Sequence, residues 1–185
     1  QWLGGIGVIV MAITILPLLN VGGMQLFRMD SSDTTEKVLP KTREITLVIS
    51  IIYLTLTFAC GISYWAVGMN MFDSIAHAMT TIATGGFSTY SGSIGHFHNP
   101  RIEIISIIFI VLGSIPFIAY LKFVKGDKKI FLKDSQIKGL VYILIFSILL
   151  MLLYLTLNNN VYSFSENLRI STFNVVSVLS GTGYI

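Results

Sequence analysis

Charge is what this sequence has least of. Of its 185 residues only twelve are Lys or Arg and nine Asp or Glu, 11% in all, against roughly 25% in an ordinary soluble domain. With 54% of its residues hydrophobic, the chain has too few charges to cover the surface of a soluble fold, which assigns it to a bilayer. The single cysteine, Cys60, excludes an intrachain disulfide and a thiolate metal cluster, and reads as a small apolar helix residue. A net charge of +3 is too small a basic excess for a nucleic-acid surface, and its placement follows membrane topology instead. The chain opens at Gln1 without a methionine and stops at Ile185 just after a glycine turn, so it is expected to be an internal fragment of a longer protein.

What is abundant is apolar sequence. Four stretches, 2–19, 45–68, 102–121 and 139–157, approach the length of about 20 residues that a spanning helix needs. Ten of the twelve basic residues fall in two of the connecting segments, 20–44 and 122–138. The positive-inside rule places both in the cytoplasm. The chain therefore leaves the cytoplasm at Ile45 and is back by Lys122, an even number of crossings. The spans at 45–68 and 102–121 supply two, so the apolar run 72–83 is not a third. At about twelve residues it is too short to span and suits a re-entrant half-helix.

Irregular backbone at membrane depth survives only where protein or a water-filled path surrounds it. A half-helix followed by Thr84-Gly85-Gly86-Phe87-Ser88-Thr89 is thus a candidate site. A second such arrangement follows the last span, where the run 167–179 leads into Ser180-Gly181-Thr182-Gly183-Tyr184. Gly86 and Gly183 are 97 residues apart; Phe87 aligns with Tyr184, Thr80 with Ser177 and Ser74 with Ser171. Ile45 and Gly139 open outer helices 94 apart, and Pro17 and Pro116 lie late in inner helices 99 apart. Near-equal offsets argue for one repeating unit of span, half-helix, turn and span. The expected organisation is the last span of one unit plus a cytoplasmic loop at 1–43, a complete unit at 44–138 with its re-entrant segment at 72–90, and a partial unit at 139–185. Pro17 and Pro116 are expected to kink their helices, primarily as a packing feature.

A half-helix that ends inside the membrane turns its partly negative C-terminus toward whatever lies beyond, which favours a cation. The glycines after it allow unusual dihedrals, and carbonyl oxygens aimed at a common axis replace the hydration shell of potassium. A phosphate-binding loop would need a helix N-terminus after the glycines and usually a lysine, and the stretch 90–99 offers neither.

The segment Thr81-Ile82-Ala83-Thr84-Gly85-Gly86-Phe87-Ser88-Thr89-Tyr90, followed by Ser93-Ile94-Gly95-His96-Phe97, closely resembles the second pore loop of the TrkH family of potassium-uptake membrane subunits. Phe173-Asn174-Val175-Val176-Ser177-Val178 with Gly181-Thr182-Gly183-Tyr184 resembles the third. Gln1-Trp2-Leu3-Gly4-Gly5-Ile6-Gly7, Leu16-Pro17-Leu18-Leu19 and Gly22-Gly23-Met24-Gln25-Leu26 are similar to the end of the first unit. The resemblance covers the whole chain and implies an all-α membrane fold of the Trk/Ktr/HKT type, with repeated helix, re-entrant half-helix and filter loop, and helix units around a central pore.

The resemblance further implies a homodimer, a cytoplasmic nucleotide-binding regulatory partner of the TrkA type and a bacterial inner-membrane location. It implies no covalently bound cofactor, with potassium as the transported ion. By position it carries the potassium-binding role to Thr84, Gly85, Gly86, Phe87 and Ser88 in one segment and Gly181, Thr182, Gly183 and Tyr184 in the other. Gly181 stands where many relatives have threonine. The first and fourth filter segments are implied to lie outside this chain.

Other residues carry weaker signals. Asp73 and His77, four apart on the half-helix, are expected to cap its start and to pack behind the turn rather than hold a metal. His96 and His98 read as extracellular loop surface. Arg101 and Glu103 are expected to snorkel or pair locally, and Trp2, Tyr64 and Trp65 to sit in an interfacial belt. A broken-helix transporter of another small cationic or polar solute is the competing reading, and it requires inverted repeats, whereas these run in one direction. A hydrolase built on Asp73 and His77 lacks a second carboxylate at comparable depth, so the chain is read as a transport subunit and not an enzyme. On this topology a Ser31→Cys variant reacts with a membrane-impermeant thiol reagent from the cytoplasmic side only. Labelling from outside would overturn the orientation.

Overall fold

The computed structural model describes residues 2–5, 7, 38–158 and 163–185, with side chains from residue 44 onward in the second of these segments. All regular structure among the described residues is helical: α1 Val38–Ala66, α2 Met71–Ile82, a 3₁₀ turn Ser93–Phe97, α3 Pro100–Ser114, α4 Phe117–Val124, α5 Ile130–Lys133, α6 Ser135–Asn158 and α7 Phe164–Leu179. A short helical piece at 2–5 precedes them. Most of the first expected span, Pro17 and most of the first basic segment lie outside the described residues.

Two helices are long and apolar enough to cross a membrane, Glu44–Ala66 within α1 and Ser135–Asn158. Along α1 a narrow stripe of Ile49, Tyr53, Cys60 and Tyr64 is buried, while Leu47, Ile51, Leu54, Phe58, Ile62 and Trp65 face outward. Outward apolar side chains on nearly every other face suit a hydrocarbon solvent. Helix α6 is more extreme, burying only Ile137, Leu144 and Leu152.

The expected single span at 102–121 is instead two helices, α3 and α4, bent by 82°. Pro116 is the cause. It has no N–H for the carbonyl of Leu112 and its ring crowds that turn. Ile115 before it is forced into extended backbone, at φ −72° and ψ 134°. The carbonyl of Leu112, deprived of its helical donor, accepts instead from the Ile115 N–H at 3.3 Å and from the Tyr120 hydroxyl at 2.7 Å. Proline thus breaks the span rather than kinking it, and α4 uses its own side chain to repair the break.

Helix α2 packs along α1, α7 packs along α6, and α3 lies against both α2 and α7. Each half-helix starts on a side-chain cap. Asn70 Oδ1 accepts from the Asp73 N–H at 2.8 Å, and α7 opens with a reciprocal capping box between Ser163 and Glu166. The N-cap itself is Asn70, and Asp73, expected to help cap the start, stands in the first turn with its carboxylate accepting from the Asn70 side chain at 2.6 Å. Twelve residues of α2 carry the chain about 18 Å back along α1, so the glycine turn is reached roughly midway down the span.

A buried chain of hydroxyls joins these helices. The Tyr64 hydroxyl lies 2.9 Å from Thr81 Oγ1 on α2 and 2.8 Å from Ser106 Oγ on α3. Tyr64 is therefore a core residue and not the interfacial aromatic expected of it. Trp65 is exposed at the end of α1, whereas Trp2 sits against the middle of the span, donating to Thr57 Oγ1 at 3.1 Å and accepting from the Tyr53 hydroxyl at 3.0 Å. Glu103 pairs with Arg169 of α7 rather than with its neighbour Arg101, which ties α3 to the following half-helix. Replacing Tyr64 by Phe leaves Thr81 and Ser106 one partner short each. The expected cost is about 1–3 kcal/mol, measured as a lower thermal unfolding temperature in detergent.

Candidate functional site

The two glycine turns are built alike, atom for atom in several places. After α2 the N–H groups of Ala83 and Thr84 bond back to Met79 and Thr81, and after α7 those of Ser180 and Gly181 bond back to Val176 and Val178. These are the same positions at the offset of 97 residues. In each unit a hydroxyl on the half-helix then holds the carbonyl of the aromatic turn residue: Thr80 donates to Phe87 O at 2.8 Å and Ser177 to Tyr184 O at 2.7 Å. These two hydroxyls were missed as functional residues, although their alignment at the repeat offset was the signal for them.

Backbone handedness repeats as well. Thr84 and Gly86 have φ of 45° and 66°, and the equivalent Gly181 and Gly183 both have 77°. Left-handed backbone of this kind recurs at the same two positions of each turn. Thr84 holds this conformation without being glycine, a strain of about 1–3 kcal/mol of the kind stored at functional sites. Gly181, at the equivalent position, holds the same handedness without that strain.

The consequence is a row of free acceptors. Among the described residues no N–H or O–H reaches the carbonyl oxygens of Thr84, Gly85 and Gly86, or of Gly181, Thr182 and Gly183. Buried or membrane-depth carbonyls are otherwise almost always paired. The two segments also touch: a Cβ on Gly86 would lie 1.8 Å from Thr182 O, so only glycine fits there.

The sequence-selected residues divide by side-chain position. Phe87 is 66% exposed, whereas Tyr184 at the same repeat position is 1% exposed. The Tyr184 hydroxyl reaches Thr80 Oγ1 at 2.6 Å and Thr81 Oγ1 at 3.0 Å, and donates to His77 O at 3.3 Å. The third segment is therefore anchored on the half-helix of the second. Thr182 is buried, its Oγ1 2.7 Å from Ser180 Oγ. Ser88 Oγ lies 2.8 Å from His77 Nε2.

Asp73 and His77 are both buried, and neither is placed for metal or proton chemistry. The Asp73 carboxylate accepts from Thr89, Tyr90 and Asn70 side chains at 2.6, 2.9 and 2.6 Å. His77 Nδ1 lies 2.8 Å from Asp73 O, so both ring nitrogens and both carboxylate oxygens are committed within the protein. His96 stacks on Tyr90 with ring centroids 3.9 Å apart, a structural contact in the loop. Among the described residues no group of three His, Cys, Asp or Glu side chains converges.

Comparison with known proteins gives a consistent picture. The family model described as TrkH, cation transport protein, matches residues 1–180. Trk system potassium uptake protein TrkI of Halomonas elongata is 40% identical over 185 residues, covering 100% of this chain and 37% of that protein. Trk system potassium uptake protein TrkH of Escherichia coli K12 is 34% identical over 187 residues, covering 100% of this chain and 39% of that protein. The crystal structure of the potassium transporter TrkH from Vibrio parahaemolyticus superposes with a TM-score of 0.83 at 32% identity, covering 100% of this chain and 37% of that one. The chain thus spans well under half the length of these relatives.

The two turns give a graded expectation for alanine. At Gly181 there is open space for a Cβ, and the left-handed backbone alone costs about 1–2 kcal/mol. At Gly86 the same backbone cost is joined by overlap with Thr182 O. Gly86→Ala should therefore unfold at a clearly lower temperature than Gly181→Ala, measured on the complete gene product in detergent.

Proposed function

This chain belongs to the TrkH family of cation transport proteins, and on that footing we propose that it carries two of the filter segments of a potassium-uptake pore. The carrying observation is the pair of matched turns whose carbonyls have no donor among the described residues. Oxygen dipoles left unpaired at membrane depth need a ligand that brings no acceptor of its own. A cation stripped of its hydration shell is such a ligand, and α2 and α7 both direct their C-terminal ends toward it.

In this reading the ion passes along Thr84, Gly85, Gly86, Phe87 and Ser88 of one segment and Gly181, Thr182, Gly183 and Tyr184 of the other. Carbonyl oxygens are the ligands; Phe87 and Tyr184 contribute theirs only in part, because Thr80 and Ser177 already donate to them. The hydroxyl bonds and the left-handed residues fix the spacing of these oxygens before the ion arrives.

The partition into a last span at 1–43, a full unit at 44–138 and a partial unit at 139–185 belongs to the same proposal, as does placement of 20–44 and 122–138 on the cytoplasmic face of a bacterial inner membrane. Closure around one ion requires more segments than two, consistent with relatives more than twice as long. Homodimerisation and control by a TrkA-type cytoplasmic nucleotide-binding subunit complete the proposal.

Gly183 is the position to test, because a Cβ there meets nothing within 4 Å and a side chain costs only the left-handed backbone at φ 77°, about 1–2 kcal/mol. Gly183→Ser in the complete gene product, expressed in cells lacking their own potassium uptake, is expected to lower potassium over sodium selectivity by at least about tenfold, some 1.4 kcal/mol in relative ion stabilisation. Unchanged selectivity and flux in a correctly folded variant would overturn the filter assignment.

A further inference from the structure

We propose that Asp73 and His77 are positioning residues for ion selectivity, clamping the outer part of the second filter segment from behind. The inference rests on the filter reading above and deepens it. Three consecutive residues after Phe87 are each tied to these two side chains, which lie one helical turn apart on α2. Thr89 donates to Asp73 Oδ1 at 2.6 Å and the Tyr90 hydroxyl to Oδ2 at 2.9 Å, while Asn70 Nδ2 donates to the same Oδ2 at 2.6 Å. Asp73 is 2% exposed, and its carboxylate is the acceptor in all three of these bonds.

The histidine supplies the third tie, and its tautomer follows from its neighbours. The carbonyl of Asp73 can only accept, so Nδ1 carries the proton at that 2.8 Å contact. In the neutral ring Nε2 is then an acceptor, and the Ser88 hydroxyl donates to it at 2.8 Å. Ser88 Oγ in turn accepts from the Tyr90 N–H at 3.2 Å. Phe97 closes the outside of the clamp, with its ring edge-on to His77 and Tyr90 at 5.4 and 5.5 Å.

The other segment has no such clamp. At the repeat offset of 97, Asp73 becomes Ile170, whose side chain accepts nothing, and His77 becomes Asn174, whose side chain donates locally to the backbone carbonyl of Ile170. That segment is held instead by Tyr184, plugged into Thr80 and Thr81. Phe87 has no hydroxyl and its ring faces outward, so the second segment lacks this anchor and depends on the carboxylate and imidazole. Bonds to an ionised acceptor are roughly twice as strong as neutral ones. They restrain the spacing of the carbonyls immediately before Ser88, and carbonyl spacing and stiffness bear on discrimination between potassium and sodium.

The test compares Asp73→Asn, Asp73→Glu and the double change Thr89→Val with Tyr90→Phe, each in the complete gene product, by uptake of potassium, rubidium and sodium. Asp73→Asn is expected to reduce the potassium-to-sodium ratio by about tenfold at similar protein abundance. Asp73→Glu should restore part of it. The double change, which leaves α2 untouched, should give the same loss, and adding Asp73→Asn to it should give little more. It also decides the matter if Asp73→Asn fails to accumulate in the membrane. Selectivity unchanged in the double variant, while Gly183→Ser alters it, would overturn the clamp and leave the filter standing. Selectivity unchanged in Gly183→Ser would overturn both.

Discussion

Backbone polar groups in the middle of a bilayer have only protein to bond with, and the buried hydroxyl chain running from Ser106 through Tyr64 and Thr81 to Tyr184 is how this fold meets that constraint. It joins the first span, the half-helix, the following span and the second glycine turn in one connected series. A half-helix that stops partway along a span would otherwise present its last turn and the irregular chain after it to hydrocarbon. Here the hydroxyl groups of Thr80 and Ser177 continue the helical bonding out into the turn, each capturing the carbonyl of the aromatic residue seven positions on.

Against that background the carbonyls that stay free acquire meaning. The last bonded carbonyls of the half-helices are those of Thr81 and Val178, and bonding resumes at the aromatic residue of each turn, leaving in each a gap of five peptide oxygens, from Ile82 to Gly86 and from Leu179 to Gly183, without a donor among the described residues. The left-handed backbone at Thr84, Gly86, Gly181 and Gly183 falls within this gap. A polypeptide that spends strain to keep oxygens unpaired is preorganised for an electropositive visitor.

The two turns are alike in backbone and different in what restrains them. One is tied by Asp73 and His77 to its own half-helix; the other sends Tyr184 across to the preceding one. The Glu103–Arg169 pair repeats this crossing near the N-terminal ends of α3 and α7. Successive units are therefore interlocked rather than merely adjacent, so displacement of one half-helix is felt in the next turn. At the opposite end Pro116 breaks the second unit's return helix, and α4 leaves at a steep angle.

The sequence by itself determined the membrane class, the half-helices and the repeat. Those follow from quantities that add along the chain: apolar length against bilayer thickness, lysine and arginine counts in 20–44 and 122–138, and equal offsets between glycine turns. Only the tertiary structure decided what single side chains do. Phe87 and Tyr184 align in sequence, yet one faces outward and the other is a buried anchor, because only the tyrosine has a hydroxyl that Thr80 and Thr81 can bind. Tyr64 and Trp2 read as interfacial aromatics, but a neighbouring helix covers each. Glu103 found its partner 66 residues away instead of two, and Pro116 broke a helix that hydropathy showed as continuous. Hydropathy and periodicity report what solvent a segment prefers; which neighbour satisfies a given polar atom depends on how helices pack, and that is not written in local sequence.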